Sequence, residues 1–269
     1  MRRVKLENAE KLVVLMYHRV GTASNAWERK YCVSPERFTA QMCALADRGM
    51  NAVGIHEFVA SLEGEKELPE GSFLITFDDG FRGVRDHALP VLERYHWPAT
   101  VFLVSNLIGK QDEWTRPYNP DGVVYPLLDA GDIMDMIKHG ISFHSHTRTH
   151  PSLPTLDDLR LNEELVGSRA ALRTLLGKDV EFLAYPFGHS DDRVEAATQA
   201  AGYRAAFSTQ PGFNRRNTNR FRLRRIDVFG TDTPATLLRK IKFGSNDGSF
   251  SHAARYYLSR LKGRFSGLS

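Results

Sequence analysis

Two adjacent carboxylates, Asp78 and Asp79, close the apolar run L-I-T-F-D-D-G-F, Leu74 to Phe81. Side by side they repel each other, and the end of an apolar strand is a poor place to hold two negative charges without compensation. A second group of chemically active side chains lies in F-H-S-H-T-R-T-H-P, Phe143 to Pro151, where His144, His146 and His150 fall within seven residues. Imidazole and carboxylate are ordinary ligands of a catalytic zinc ion, which takes three protein ligands and leaves a position for water. His146 and His150, four apart, can meet on one face of a helical turn, and one carboxylate of the Asp pair completes a two-His, one-carboxylate set. The other carboxylate is then available as a base toward a water acidified by the metal. Either group alone has an ordinary structural explanation, a turn or cap for Asp-Asp-Gly and a polar loop for the histidines. Their joint occurrence is far more specific.

Short apolar runs alternating with helical patterns must position these residues. Leu12 to Tyr17, Phe73 to Phe77, Thr100 to Val104, Ile141 to Ser145, Phe182 to Tyr185, Arg204 to Ser208 and Leu223 to Val228 read as strands. Ser34 and Pro35 open a helix that presents Phe38, Met42 and Leu45 on one face and stops at Gly49. Further helices are expected over Gly83 to Tyr95, over Asp132 to His139, from a Thr155 cap to Gly177, and over Asp191 to Ala201. Strands separated by helices predict a parallel β/α architecture. His18, Asp78, Asp79, the histidine cluster and Tyr185 to Gly188 all follow apparent strands, at the end where such folds carry their sites. Gly109 to Asp129, with Trp114, Tyr118 and Tyr125, reads as a long irregular insertion and a candidate binding loop.

T-F-D-D-G at Thr76 to Gly80 and H-T-R-T-H at His146 to His150 resemble the first two motifs of the polysaccharide deacetylase family, the NodB-homology enzymes of carbohydrate esterase family 4. The resemblance runs over roughly Leu12 to Val228. It implies an α/β fold, a distorted (β/α)7 TIM-like barrel, that hydrolyses an N-acetyl group from an amino sugar. By the same resemblance Asp79, His146 and His150 hold a divalent metal, zinc first and cobalt, nickel or iron as alternatives. Asp78 becomes the general base, and the backbone N–H of Phe187 an oxyanion donor. The chain departs from the family in two places. Its third motif is A-Y-P-F-G, Ala184 to Gly188, without the usual Arg, for which Arg225 in L-R-R-I-D is the candidate substitute. No late Leu-x-His supplies a general acid. An N-terminal M-Y-H-R-V offers His18 instead, as in a subgroup of these enzymes. Tyr185, Phe187 and Trp114 are candidates for stacking on sugar rings, and His144 for a pocket-lining or supporting place beside the ligands. His144 and His146 as an H-x-H pair are also similar to the amidohydrolase superfamily, but there the pair lies near the first strand.

Composition sets the remaining bounds. The 269 residues are 42% apolar and 25% charged, which suits a soluble globular chain with a sizeable core. Cys32 and Cys43 form no disulfide or zinc-thiolate spacing and read as two small buried thiols. No secretory signal or membrane span is apparent, so the expected location is the cytoplasm, with peripheral contact at the inner face of the membrane as a further expectation. The net charge of +4 is uneven, with 13 Lys/Arg against 3 Asp/Glu from Asn214 onward. The expected organisation is an N-terminal extension over 1–11, a deacetylase domain over 12–230 and a basic helical tail over 231–269. Amphipathic character between Phe250 and Phe265 would suit contact with anionic lipid and a lipid-linked amino-sugar substrate. No nucleic-acid recognition motif is present. The alternatives are a degenerate homologue that binds glycans without hydrolysis, and an O-deacetylase or deformylase acting on a related sugar.

Overall fold

The computed structural model describes residues 11–252. The chain runs β1 (Val13–Tyr17), β2 (Arg19–Val20), β3 (Cys32–Val33), α1 (Pro35–Ala46), β4 (Asn51–Ala52), α2 (Ile55–Glu63), β5 (Ser72–Phe77), α3 (Leu89–Arg94) and β6 (Ala99–Leu103). It continues with α4 (Ala130–Ile137), β7 (Ile141–Ser145), α5 (Asp158–Leu176), β8 (Phe182–Ala184), α6 (Asp192–Ala200), β9 (Ala205–Phe207), β10 (Ile226–Asp227) and α7 (Pro234–Phe243). The main sheet is parallel, in the order β10-β1-β5-β6-β7-β8-β9, with β4 added beside the start of β5. A parallel bridge from Phe207 to Leu223 brings β9 back toward the β10 segment. The sheet thereby curls into the distorted (β/α)7 barrel expected from the sequence, as a single domain.

Strand periodicity divides the core in two. Val13, Leu15 and Tyr17 of β1 face the helical shell, while Val14 joins Leu74, Phe102, Phe182 and Phe207 inside the barrel. Ile55, Phe58, Val59 and Leu62 of α2 belong to the interior cluster together with Leu12, so this helix plugs the end at which the strands begin. The opposite end, where the strands finish, is left for chemistry. Leu237 and Ile241 of α7 pack into the shell, and the buried Lys240 ammonium meets Asp232 and donates to the Asp227 carbonyl at 3.0 Å. The stretch Phe250 to Phe265 lies almost wholly outside the described residues, as does most of the 1–11 extension. No helix among the described residues is long and apolar enough to cross a membrane.

Several boundaries differ from expectation for identifiable reasons. Thr155 does not cap α5: it closes a short 3₁₀ turn and donates to the Ser152 carbonyl at 2.7 Å, whereas the Asp157 carboxylate accepts from the Arg160 N–H at 2.8 Å. The expected helix from Gly83 begins as a wide π turn over Val84–Ala88, because Pro90 lacks the N–H that an α-helical bond would need. The last strand is only Ile226–Asp227, since the Arg225 N–H donates out of the ladder to the Gln210 carbonyl at 3.0 Å. Cys43 is exposed, correcting the expectation of two buried thiols, while Cys32 is buried as expected.

Candidate active site

Asp78 and Asp79 follow β5, and their backbones differ sharply. Asp79 has φ 71°, a left-handed conformation that costs a non-glycine residue free energy and that concentrates where function demands it. Thr147, His150 and Phe187 share this conformation, with φ of 68°, 65° and 59°. Asp79, His150 and Phe187 converge on one cleft of about 430 Å³ at the C-terminal end of the strands, lined also by Asp78, His146 and His18 among others.

Asp79, His146 and His150 each point one ligand atom at a common place, all within 4.8 Å of one another. Asp79 Oδ1 lies 3.5 Å from His146 Nε2 and 3.3 Å from His150 Nε2. His146 Nδ1 donates to the Ala184 carbonyl at 2.8 Å, which fixes the tautomer that turns the Nε2 lone pair toward Asp79. Burial depresses the proton affinity of both imidazoles, so they stand as neutral lone-pair donors. Burial, with the charges of Asp78 and Asp112 adding to it, pushes the Asp79 carboxyl well above the ordinary range. Among the described residues Asp79 Oδ1 is buried and finds no hydrogen-bond donor. A buried orphan oxygen facing two neutral imidazole nitrogens is the donor set of a divalent cation, so the residues present fit the implied metal.

Asp78 is treated differently. The Arg225 guanidinium is fully buried, donates Nη1–H to Asp78 Oδ1 at 2.7 Å and Nη2–H to Oδ2 at 2.8 Å, and donates Nε–H to the Ser208 carbonyl at 2.9 Å. Burial raises the Asp78 carboxyl, but the Arg225 charge and the neighbouring histidines outweigh it and hold the group at about 2. Two neighbouring carboxylates are thus set apart, one kept anionic by arginine and one left for a cation. Arg225 comes from the segment just before β10, further along the chain than the A-Y-P-F-G motif.

His18 lines the cleft with its ring 5.1 Å from that of Tyr31. Burial lowers its affinity for a proton to a pKa of about 4, against the attraction of Asp78. Trp114 stacks on the His150 imidazole at 4.8 Å and 25°, and Phe187 meets the same ring edge-on at 4.8 Å. Phe187 is half exposed at 48%, which leaves a face for a ligand. The glycine after it is required: a Cβ on Gly188 would lie 2.1 Å from Thr209 Oγ1.

Two candidates are not brought to the cleft. Tyr185 is fully buried in the outer core, because β8 alternation turns its ring toward the helical shell, so it is not a sugar-stacking residue. His144 points into the barrel interior one layer below His146, packed against Phe182 at 4.7 Å and His56 at 5.7 Å. It therefore neither lines the pocket nor supports a ligand.

Other cleft residues were not singled out from the sequence. Asp227, two residues after Arg225 on the same strand face, lines the cleft, and burial pushes its carboxyl up to about 6 against the pull of Arg225 and Lys240. Period-two spacing in L-R-R-I-D was the available signal. One wall joins the 109–129 insertion to the N-terminal segment through Glu28, which is only 4% exposed. Its carboxylate accepts from Arg19 at 2.7 Å, Asn119 at 2.9 Å and the Tyr125 hydroxyl at 2.8 Å. Nothing in the local sequence around Glu28 announces partners some ninety residues away.

This geometry has close counterparts among known proteins. The chain is 28% identical over 225 residues to YxkH of Bacillus subtilis, covering 84% of this chain and 74% of that protein. It is 29% identical over 221 residues to the poly-beta-1,6-N-acetyl-D-glucosamine N-deacetylase of Staphylococcus epidermidis, covering 79% and 73% respectively. The solved structure of IcaB from Ammonifex degensii superposes with a TM-score of 0.73 at 25% identity, over 88% of this chain and 97% of that one. Residues 65–206, which contain Asp78, Asp79, the histidine loop and the Tyr185 to Gly188 turn, match the model for polysaccharide deacetylase. The chain belongs to the polysaccharide deacetylase family.

Proposed function

We propose that this protein is a divalent-cation-dependent hydrolase that removes an N-acetyl group from an amino sugar of a glycan or of a lipid-linked glycan precursor. The observation that carries the reading is the pairing, in one cleft, of the Asp79–His146–His150 donor set with an Asp78 held ionised by Arg225. Asp79 Oδ1, His146 Nε2 and His150 Nε2 would hold the cation. Zinc suits this set best, and cobalt, nickel and iron also accept nitrogen and oxygen ligands. Bound there, a divalent cation supplies Lewis acidity toward the acetyl carbonyl and acidifies a water.

The protein side chains do the rest. Asp78 accepts the proton of the attacking water on its carboxylate. Arg225 fixes the carboxylate plane and keeps it charged throughout the neutral pH range. The Phe187 backbone N–H faces the developing oxyanion. His18 is neutral at rest, so the proton it hands to the departing sugar nitrogen is the one that Asp78 has taken from the attacking water and passed to its ring. Trp114 and Phe187 brace His150 and offer apolar faces to the pyranose ring. The S. epidermidis relative acts, by its name, on a polymer of N-acetylglucosamine, which supports an amide-linked acetyl over an ester or formyl group.

The test combines metal content with acetate release on wild type and Asp78→Asn. The substrates are N-acetylated β-1,6-glucosamine oligomers and undecaprenyl-linked N-acetylhexosamine. Near one equivalent of metal in both proteins with acetate from wild type alone is the expected result. Acetate from the oligomers but not the lipid-linked sugar would remove the lipid-linked precursor from the reading. Metal in neither protein would overturn the assignment of the donor set.

A further inference from the structure

The loop between the two histidine ligands is an anion-binding nest whose anion is built into the protein. Consecutive N–H groups of Arg148 and Thr149 point the same way, between the left-handed residues Thr147 and His150, a backbone form that creates a concavity for negative charge. One carboxylate fills it. Glu164 of α5, 8% exposed, accepts from Arg148 N–H at 2.8 Å and Thr149 N–H at 2.9 Å on Oε2, and from the Thr149 hydroxyl at 2.5 Å on Oε1. One turn further along the helix, Ser168 Oγ accepts from Ser145 Oγ at 2.8 Å, and Ser145 Oγ in turn accepts the Thr147 N–H at 3.1 Å. Thr147 Oγ1 accepts the His150 N–H at 3.2 Å.

Every backbone donor from Thr147 to His150 is thus satisfied by a side chain. A buried backbone donor must find a partner, and here a single carboxylate on α5 serves the two central ones, Arg148 and Thr149. Without that partner the Arg148 and Thr149 N–H groups lose their acceptor, and the strained backbone keeps the bonds from Ser105 and Asn106 N–H to the Thr147 and Arg148 carbonyls and the hydroxyl contacts of Ser145 and Thr147. His150 would then relax toward ordinary dihedrals and swing its Nε2 off the common point with Asp79 and His146.

We propose that Glu164 is a positioning residue for metal binding: it does not touch the cation but locks the loop that presents His150, and thereby sets the affinity of the site. This inference rests on the metal reading given above. It also makes α5 a carrier of function as well as shell, with an acidic residue at 164 and a hydroxyl at 168 as its two contacts to the site.

The experiment measures cobalt and zinc dissociation constants by chelator competition, together with the visible absorption of the cobalt form. Wild type, Glu164→Ala and Glu164→Gln are compared, with circular dichroism on the metal-stripped proteins. The expected result is a loss of metal affinity of about 10–100-fold in Glu164→Ala, with an altered cobalt spectrum and a retained fold. Glu164→Gln should fall between the two, because its amide still offers an acceptor oxygen. Added formate, which fits the vacated nest, should restore part of the affinity in Glu164→Ala and change nothing in wild type. A folded Glu164→Ala, or a folded Glu164→Gln if the alanine variant does not fold, that binds cobalt with wild-type affinity and spectrum overturns the proposal. Failure of wild type itself to bind metal would overturn the metal reading as well, so the two failures are distinguishable.

Discussion

The Arg225 guanidinium grips both carboxylate oxygens of Asp78, at 2.7 and 2.8 Å, across 147 residues of chain. Both partners are buried, so the pair is a commitment: each charge is tolerable only because the other is there. Removing one partner of such a pair leaves an uncompensated buried charge, at a cost of about 3–5 kcal/mol. Arg225→Leu should therefore lose stability on that scale in urea unfolding at pH 7. Arg225→Lys keeps the charge and loses the fork, so it should lose less stability while still lowering kcat. The sign with pH follows from the depressed carboxyl. Its stabilisation is present above the unfolded pKa near 4 and is lost as pH falls toward about 2, so the wild-type advantage over Arg225→Leu should shrink across that window. An advantage unchanged by acid would show that the pair is not the source.

Asp227 carries the opposite sign. Its carboxyl is raised to about 6 by burial, so the folded state holds a proton that the unfolded chain has released. Stability from this group is full below the unfolded pKa near 4 and declines as pH rises through about 6. Asp227→Asn should remove that decline and be more stable than wild type at pH 8, by at most about 2–3 kcal/mol for a shift of some two units at a group that is partly exposed. Denaturation midpoints of both proteins at pH 4, 6 and 8 would reveal the effect, and parallel curves would refute it.

His144 offers a substitution without cost. Neither ring nitrogen finds a hydrogen-bond partner among the described residues, and the ring sits among Phe102, Phe182 and His56. Burial and the neighbouring His56 hold it neutral, so the wild-type fold loses ground as the unfolded chain gains a proton below pH about 6.5. His144→Phe or His144→Leu should gain about 1–3 kcal/mol by removing an unsatisfied polar ring. The gain should be larger at pH 5 than at pH 8, and metal content should be unchanged. A loss of bound metal in a folded variant would place His144 back at the site.

Glu28 ties together segments far apart in sequence. Its carboxylate accepts from Arg19, the Ser24 N–H, Asn119 and Tyr125, and Arg19 also lies 3.5 Å over the Tyr125 ring. Glu28→Ala should release the 109–129 insertion from the cleft wall. Amide hydrogen exchange should rise over residues 112–125, and a wall that contacts substrate away from the reacting atoms predicts a several-fold rise in KM with a smaller change in kcat. Equal losses in kcat and kcat/KM would instead assign Glu28 to the transition state.

The candidate donor set was legible because its residues lie in compact stretches. Asp78 and Asp79 are adjacent, and His146 and His150 are four apart, so a short window holds each half. The strands were legible from apolar runs, and Ser34 and Pro35 marked the start of α1 as expected. Arg225 could be named only through the family resemblance. Tyr185 and His144 misled because their types suit a sugar site while strand alternation sends one to the shell and the other beneath the metal ligands. Glu28 and Glu164 were silent, since their roles depend on partners supplied by the tertiary fold, and Asp227 had only its period-two spacing from Arg225 to mark it. Thr155 lost the cap of α5 to Asp157 because Pro154 bends the chain into a turn first.

The pairing of β10 with β1 has a consequence for biogenesis. Asp78, Asp79 and the histidine loop leave the ribosome well before Arg225, since synthesis proceeds from the N-terminus. Until the final strand docks beside the first, through Leu15 with Ile226 and Met16 with Asp227, Asp78 has no arginine to orient its carboxylate or to compensate its charge as it is buried. The Asp78 carboxylate is gripped by its arginine only once the first and last strands of the barrel have met, so assembly of the site is coupled to closure of the fold.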